Sequence, residues 1–565
     1  MTRRAASVLG IACSVIRSST RAARLSSLLR VSAAALLGLW PLWCHPLPET
    51  GPQETAAWHR EQGIASLQQH DIPGALDHFR RAVRLDPTDA ACHDYLGVTL
   101  SDSGLSDQAL AEFQKAVELD QSLAPAHYHL ASAYTRANNR EEAVHEYEKA
   151  LWLQPTMVEA RNGLSAVCWK SGDLDGAIRL LQQIIDANPG FWEARYNLGL
   201  ALWQHYRDPG RLPQKDDLEE AIRQLRAALQ QQPGQPEIYL VLGQVLAETE
   251  DLAGGVEILR KGADLAHGDP EYLYNLGSAL RMEGDLNAAE QAFRKTLQLR
   301  PDHAQARRAL GLVLRQRGEL EAAAAEFRRA ASQQPTDAEI RHNLGSVLLS
   351  LNDLSGAIDE LRQAVSLDPY YSEAHLTLAQ ALQKSGQPEE AQKERDEAKR
   401  IDTLRSNRGR AVVLLQAADG LAQGGDKIKA IEELRQAVQL SPDFPEAYFR
   451  LALTLDSSSA SLDEIAAVLR KVIELDSDHA LAHYRLGLVR KRQGRVEEAQ
   501  AEISRASELA PGLCDAYLAL AEAAVTNRDW SKALDEYVRY LAWEPNDEVV
   551  RRDLSIAQKN LVARP

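Results

Sequence analysis

Histidine pairs are the first residues in this sequence whose types and spacing suggest chemistry. In HALAH, His479 and His483 lie four residues apart, so both imidazoles share one face of a helix and can bind a metal ion together. The sequence supplies no third ligand and no HExxH pattern with them. In HYH, His127 and His129 are two residues apart, which puts their rings on different faces. We therefore expect no metal site.

Motifs for catalysis are also missing from the sequence. It contains no GxSxG nucleophile motif and no glycine-rich phosphate loop after a strand. The five cysteines form no short pairs: Cys13 and Cys44 lie near the N-terminus, and Cys92, Cys168 and Cys514 are scattered through the rest. We expect no catalytic residue and no cofactor, and we interpret the chain as a protein that is not an enzyme.

The N-terminal residues have the layout of a targeting segment. The first 48 residues contain six arginines and no acidic residue, and the apolar run VSAAALLGLWPLW occupies residues 31–43. A basic region before a short apolar core is typical of a secretory signal. We expect residues 1–44 to be a signal peptide or a signal anchor, and residues 45–55 to be a linker. The protein would then be periplasmic, extracellular or attached to a membrane through this segment. An organelle transit peptide is the alternative, because an Arg-rich, acid-free start fits that class too.

The linker contains LPETG at residues 47–51, which resembles the signal by which sortases attach proteins to a bacterial cell wall. In a sortase signal, an apolar stretch and a basic tail follow the motif at the C-terminus. Here the apolar run precedes it. We interpret the match as an accident within a proline-rich, extended linker.

The composition indicates an acidic, helical protein. Ala, Leu, Glu, Gln and Arg, which favour helices, dominate the 565 residues. The formal net charge is −16. Because the N-terminal leader (residues 1–44) is basic, the rest of the chain is still more acidic. Nucleic-acid binding depends on cationic contacts to phosphate, so we expect no nucleic-acid partner.

A 34-residue repeat organises the rest of the chain, as a comparison of YNLGSALRMEGDLNAAEQAF (from residue 274) with HNLGSVLLSLNDLSGAIDEL (from residue 342) shows. We number each repeat so that the small residue of the Leu-Gly pair is position 8. A second small residue then stands at position 20, often an aromatic at position 24, and proline follows the second helix. Small residues let two antiparallel helices approach closely, and proline ends the second one.

These residues resemble the signature of the tetratricopeptide repeat family, over residues 56 to about 547. The resemblance implies an all-α fold, a right-handed α-solenoid of about fourteen helix-turn-helix repeats at residues 56–547 with a capping helix at residues 548–565. Three departures stand out. Ten extra residues lie within residues 205–217, about five more near residues 401–410, and SSSASLDE replaces a Gly turn at residues 457–464.

The resemblance also implies a function, since the inner groove of such arrays receives peptides or partner proteins. In the family, the groove is lined mainly by first-helix positions 2, 5, 9, 12 and 13, and an asparagine ladder at position 6 grips peptide backbone in O-linked N-acetylglucosamine transferases. The matching positions give the candidate peptide-binding residues Tyr128, Trp169, Tyr196, Asn197, Trp203, Tyr274, Asn275, Arg281, Arg308, Arg315 and Asn343.

The chemistry of these candidates suits a peptide. Aromatics offer large contact areas, asparagine amides pair with backbone, and the arginines favour acidic side chains. We expect Trp203→Ala or Tyr274→Ala to weaken partner binding more than Arg315→Ala, without unfolding the array. The alternative is that many of these side chains pack between neighbouring repeats.

Another binding mode of the family is not expected. Arrays that hold the C-terminal carboxylate of heat-shock chaperones need asparagine at position 9, which no repeat has, and position 2 is mostly acidic here. We interpret the chain as an exported scaffold or adaptor that binds partner proteins or peptides. The alternative is a substrate-recruiting subunit of a multi-protein, glycosyltransferase-like complex.

Overall fold

The protein is described by a computed structural model that covers residues 54–208, 215–458 and 460–562, and within these ranges it holds 28 α-helices and no β-strand. The predicted fold class, an all-α solenoid of about fourteen helix pairs with a C-terminal capping helix, is confirmed. The predicted signal segment (residues 1–44), the LPETG stretch and nearly all of the predicted linker lie outside the described residues.

The chain forms two compact units. The terminal unit joins the described residues up to Ala201 with those from Asp478 onward, and the central unit is Leu202–Ser477. The terminal unit begins with α1 (Ala56–Gln68), α2 (Ile72–Leu85), α3 (Ala90–Asp102), α4 (Ser106–Leu119), α5 (Ala124–Ala137), α6 (Arg140–Leu153), α7 (Val158–Ser171), α8 (Leu174–Ala187) and the start of α9 (Trp192–Tyr206).

The central unit follows, and the chain then returns to the terminal unit. The central unit contains the end of α9, α10 (Lys215–Gln231), α11 (Pro236–Ala247), α12 (Leu252–Leu265), α13 (Pro270–Glu283), α14 (Leu286–Leu299), α15 (Ala304–Gln316), α16 (Leu320–Gln333), α17 (Ala338–Ser350), α18 (Leu354–Leu367), α19 (Ser372–Lys384), α20 (Pro388–Gln423), α21 (Lys427–Leu440), α22 (Pro445–Asp456) and α23 (Leu462–Leu475). The terminal unit ends with α24 (Ala480–Arg492), α25 (Val496–Leu509), α26 (Cys514–Thr526), α27 (Trp530–Trp543) and α28 (Glu548–Val562).

Glycine at position 8 makes room for the aromatic ring at position 24 of the same repeat. A Cβ on Gly97 would lie 2.5 Å from the Phe113 ring, and a Cβ on Gly277 would lie 2.8 Å from the Phe293 ring. Both rings are fully buried between their two helices. A larger residue at either glycine would force the helix pair apart, so the repeat pattern is a packing requirement.

Aspartates begin many of the second helices. The side chains of Asp251, Asp285 and Asp353 each accept a hydrogen bond from the backbone N–H three residues on, at 3.0–3.1 Å. Each bond satisfies a helix N-terminal N–H that has no partner within the helix. The recurrent Asp after the turn therefore sets where the second helix of a repeat begins.

Repeats ten and eleven depart from the expected pattern of separate helices. The second helix of repeat ten and the first helix of repeat eleven form the continuous, 36-residue α20. The sequence explains this fusion, because IDTLRSNRGR contains none of the prolines that end the second helix in most other repeats. The extra residues near 401–410 therefore lengthen a helix and do not form a loop.

The other departures lie at turns. In repeat five, α9 ends at Tyr206 and α10 begins at Lys215, and His205 Nδ1 lies 2.7 Å from Asp217 Oδ2 at the base of the insertion. Residues 209–214 of that insertion lie outside the described residues.

At the C-terminus, α28 packs on α27 and buries Val550, Leu554 and Ala557. Among the helices that the structure describes, none is long and apolar enough to cross a membrane.

Candidate peptide-binding surface

Two partly buried arginines in the central unit have no acidic partner among the residues that the structure describes. Arg281 on α13 and Arg315 on α15 occupy position 12 of successive repeats. Arg315 donates from Nη1 to Asn343 Oδ1 on α17 at 3.4 Å, and no carboxylate of the described residues pairs with either arginine. Burial lowers the pKa of the Arg315 guanidinium, and the nearby charge of Arg281 lowers it further. We call Arg281 and Arg315 the cationic patch.

Two neutral side chains, His342 and Tyr371, lie beside Arg315. The Tyr371 hydroxyl donates to His342 Nδ1 at 2.9 Å, which leaves Nε2 to donate to Thr377 Oγ1 at 3.1 Å. Burial lowers the pKa of His342, and the charge of Arg315 acts in the same direction. Burial raises the pKa of Tyr371 to about 12. His342 and Tyr371 therefore add no counter-charge to the patch. Glu339 and Glu373 also act on both residues, but these carboxylates pair with Arg308 and Arg405.

Tyr274 offers an aromatic surface on α13, the helix that carries Arg281. Its half-buried ring lies 4.9 Å from the His303 ring and 6.0 Å from the Phe293 ring, measured between centroids. Neighbouring rings hold such a side chain in one orientation, so little entropy is lost when a ligand packs on its exposed part.

The asparagines of the central unit already bond within the array. Asn275 Oδ1 accepts from Gln244 Nε2 at 2.8 Å, and its Nδ2 donates to the Glu271 carbonyl at 2.8 Å. Asn343 is buried and accepts from Arg315. Their amides can therefore bond a peptide backbone only by giving up these contacts.

Trp203 and Arg308 are packed within the central unit. Trp203 is 4 % exposed, and its indole Nε1 donates to Glu248 Oε2 at 2.9 Å. Arg308 is buried, forms an ion pair with Glu339 and donates to Gln305 Oε1 at 3.2 Å. These two side chains hold neighbouring repeats together. For them, the alternative given in the sequence analysis applies, namely that a candidate side chain packs between neighbouring repeats.

The candidates of the terminal unit differ in exposure. Tyr128 is half-buried, with its ring centroid 5.1 Å from His129 and 6.2 Å from Tyr147. Tyr196 is fully buried, and Trp169 and Asn197 are buried as well. Tyr128 is therefore the candidate of this unit that a ligand can touch without rearrangement.

Sequence reasoning found the cationic patch and missed its neighbours. His342 stands at position 5 of repeat nine, one of the groove positions, so the rule that selected Tyr274 also covers it. Tyr371 lies in the turn before α19, outside the first-helix positions, and no sequence signal marked it. The bond from His342 to Thr377 joins repeats nine and ten, which a rule applied to one repeat at a time cannot detect.

The histidines that suggested a metal site have structural roles. His483 Nδ1 lies 2.6 Å from Glu502, and His479 Nδ1 accepts from the Ala482 N–H at the start of α24. His127 pairs with Glu146 at 2.5 Å and His129 with Asp94 at 2.8 Å. Within the described ranges, no group of three or more His, Cys, Asp or Glu side chains is arranged to hold a metal ion.

Family models match most of the repeat region. Models of the tetratricopeptide repeat match residues 124–157, 167–212, 214–276, 274–338, 348–407, 458–513 and 484–548, and a TPR repeat model matches residues 419–456. Together these stretches exceed half of the chain. A comparison with curated protein sequences gave no match.

Several solved structures are similar to this chain. YrrB, described as a TPR protein with an unusual peptide-binding site, is 27% identical over 35% of this chain and 97% of its own, with a TM-score of 0.31. MamA from Desulfovibrio magneticus RS-1 is 25% identical over 30% of this chain and 94% of its own, with a TM-score of 0.28. Cut9–Hcn1 of the APC/C is 14% identical over 89% of this chain and 96% of its own, with a TM-score of 0.37.

The helix pairs and their packing rule define an α-helical repeat protein of the kind that supports protein interactions. The chain belongs to the tetratricopeptide repeat family.

Proposed function

We propose that this protein is a scaffold or adaptor that binds a partner protein or peptide through the cationic patch of the central unit, with Tyr274 as a neighbouring anchor. The observation that carries the proposal is that Arg281 and Arg315, both partly buried, occupy the same position of successive repeats, while no carboxylate of the described residues pairs with either. Partly buried charges of like sign are costly without a counter-charge, and a bound carboxylate supplies one.

The charge of the whole chain strengthens this argument. The net charge is −16, so acidic side chains are plentiful, and the exposed Arg362 and Arg435 each pair with a glutamate. The two arginines of the cationic patch stand out because they are partly buried, whereas other partly buried arginines of the described central unit, such as Arg307 and Arg341, pair with a glutamate. The partner that fits is a segment with an Asp or Glu side chain, or a free C-terminal carboxylate.

A pull-down from a native extract tests the proposal. Full-length wild type, Arg281→Gln/Arg315→Gln and the control Arg260→Gln/Arg328→Gln serve as baits, and captured proteins are identified by mass spectrometry. Arg260 and Arg328 are exposed arginines on second helices of the same unit, so the control removes the same charge elsewhere. We expect the patch variant to lose partners that the control retains. Equal capture by all three baits would contradict the proposal, and a co-purifying transferase activity would favour the enzyme-recruiting role.

We also propose that the protein is exported. The support comes from the sequence of the leader, a basic and acid-free region before the apolar run at residues 31–43. A reporter fused after Gln53 should reach an extracytoplasmic compartment, and deleting residues 31–43 should keep it in the cytosol. A reporter that stays in the cytosol with the leader intact refutes export, and one that enters an organelle identifies a transit peptide.

A further inference from the structure

A buried carboxylate in repeat three bonds to repeat fourteen within the terminal unit. Glu148 on α6 is 0 % exposed. Its Oε2 accepts from Arg539 Nε and its Oε1 from Trp543 Nε1, both on α27 and both at 2.8 Å. A buried carboxylate is costly unless it is paired and hydrogen-bonded, so this partnership accounts for the position of Glu148.

The repeat register shows how unusual this burial is. Glu148 stands at position 25, where eight other repeats have an exposed arginine: Arg80, Arg226, Arg260, Arg294, Arg328, Arg362, Arg435 and Arg470. Trp543 stands at position 30 and is 0 % exposed, whereas four other repeats have an exposed leucine there: Leu85, Leu265, Leu299 and Leu367. Both positions belong to the outer surface of a repeat. They are buried here because repeats three and fourteen cover each other.

Repeat four extends the same contact. Asp173 caps α8 like the other aspartates, but its second oxygen also accepts from the Gly512 N–H at 2.7 Å. Arg179 donates to the Gly512 carbonyl at 2.9 Å. A Cβ on Gly512 would lie 2.4 Å from Gly176 Cα, so the backbones meet where both residues are glycine. The polar bonds and the glycine pair show a surface shaped for this segment.

A second buried carboxylate lies in the contact without a hydrogen bond. Glu536 on α27 is 7 % exposed, and its Oε2 has no hydrogen-bond partner among the described residues. Arg539 Nη1 is 3.9 Å away, but this arginine already bonds Glu148 and lies over the Tyr517 ring at 4.2 Å. Burial raises the pKa of Glu536 to about 7. Two buried carboxylates thus share one arginine.

The groups that face Glu536 come from three helices. Glu148 of α6 and Lys532, Asp535 and Arg539 of α27 act on Glu536 directly. His145 and Lys149 of α6 lie near Asp535, and Tyr517 of α26 lies beside Arg539 and Glu148. Burial lowers the pKa of His145 and raises that of Tyr517, so both stay neutral near pH 7. An ionised Glu536 would add a second buried negative charge beside Glu148.

We propose that repeats three and four carry a docking surface for repeats thirteen and fourteen of the same chain, a clasp that is closed while Glu536 holds a proton and loosens when Glu536 is ionised. The direction of this pH dependence follows from linkage, because the raised pKa of Glu536 means that the closed form binds the proton more tightly than the open form. The stability of the clasp falls as pH rises from the ordinary range of a glutamate through about 7.

Alkylation of Cys514 in the full-length protein tests the clasp. Its thiol is 5 % exposed, and Arg179 of repeat four donates to it at 2.8 Å, so opening the clasp uncovers it. Cys92 is buried inside repeat two and serves as the internal reference for folding. In Glu148→Ala, we expect iodoacetamide to modify Cys514 at least about tenfold faster, with Cys92 unchanged. Asp396→Ala removes an exposed carboxylate at position 25 of repeat ten and should change neither rate.

Two further variants complete the test. Glu148→Gln preserves the size of the side chain and one hydrogen-bond acceptor. It replaces Glu148→Ala if faster modification of Cys92 shows that the Ala variant unfolds. We expect Glu148→Gln to accelerate the modification of Cys514 less. Glu536→Gln is permanently neutral, and comparison with wild type at each pH cancels the pH dependence of the thiol reaction. Near pH 5 the two rates should differ least, and about one unit above 7 wild-type Cys514 should react several times faster. Unchanged Cys514 protection in both Glu148 variants, or equal rates for Glu536→Gln and wild type at both pH values, would overturn the proposal.

Discussion

At the scale of single residues, a side chain can serve the stability of the array or the binding of a ligand, and burial separates the two roles. Trp203 and Tyr274 illustrate the difference. Both are aromatics at groove positions of their repeats, but Trp203 bonds Glu248 from inside the array and Tyr274 remains half-buried. Only the geometry distinguishes them, because the sequence rule assigns them the same role.

We therefore expect Trp203→Ala to lower stability rather than to affect binding alone. Truncating a buried tryptophan costs about 3–5 kcal/mol, and here it also leaves Glu248 without its indole donor. Tyr274→Ala should lower the free energy of unfolding much less. Urea unfolding of both variants, followed by circular dichroism, measures the difference. Equal losses of stability would show that Tyr274 is also a packing residue.

At the scale of helices, the repeat signals predicted almost every element. The pairing of small residues with buried rings, the aspartate caps and the prolines are local, and they recur often enough to fix the register. The fused helix α20 is where local signals were misread, since an alignment of repeats places a boundary near residue 405 although nothing in the sequence ends the helix there.

Proline substitution tests the continuity of α20. Ser406→Pro removes a helical hydrogen bond and introduces a clash, so it should cost about 3 kcal/mol. The control is Gln121→Pro, in the turn between repeats two and three. Gln121 occupies the place where other repeats carry Pro87 or Pro155, and the structure assigns its N–H no hydrogen bond. Thermal unfolding should show a lower midpoint for Ser406→Pro alone. A neutral Ser406→Pro would mean that the chain turns between repeats ten and eleven.

At the scale of the whole molecule, the sequence predicted the family and named Arg281, Arg308 and Arg315 as candidate ligand contacts, and the structure added contacts between repeats. The bond from His342 to Thr377 and the bond from Trp543 to Glu148 each join residues of different repeats. A rule that compares each repeat with the next cannot detect such pairs. A signal for the second contact was present, because Glu148 is acidic where most repeats have arginine, but the sequence did not reveal what covers it.

The net negative charge of the whole chain also affects the binding of a partner. A partner with carboxylates should be held by the cationic patch but repelled by an otherwise acidic surface, so specificity depends on where the carboxylate lies. The attraction should weaken with added salt, since the screening length is about 8 Å at physiological ionic strength.

Selection of random peptides on the immobilised full-length protein tests the central claim most directly. Wild type, Arg281→Gln/Arg315→Gln and Arg260→Gln/Arg328→Gln are each panned with one phage library, and the bound sequences are counted. We expect wild type and the control to enrich peptides with an Asp or Glu at a fixed position, and the patch variant to lose that enrichment. Peptides without acidic residues on wild type, or the same acidic peptides on the patch variant, would contradict the assignment of the binding surface to the cationic patch.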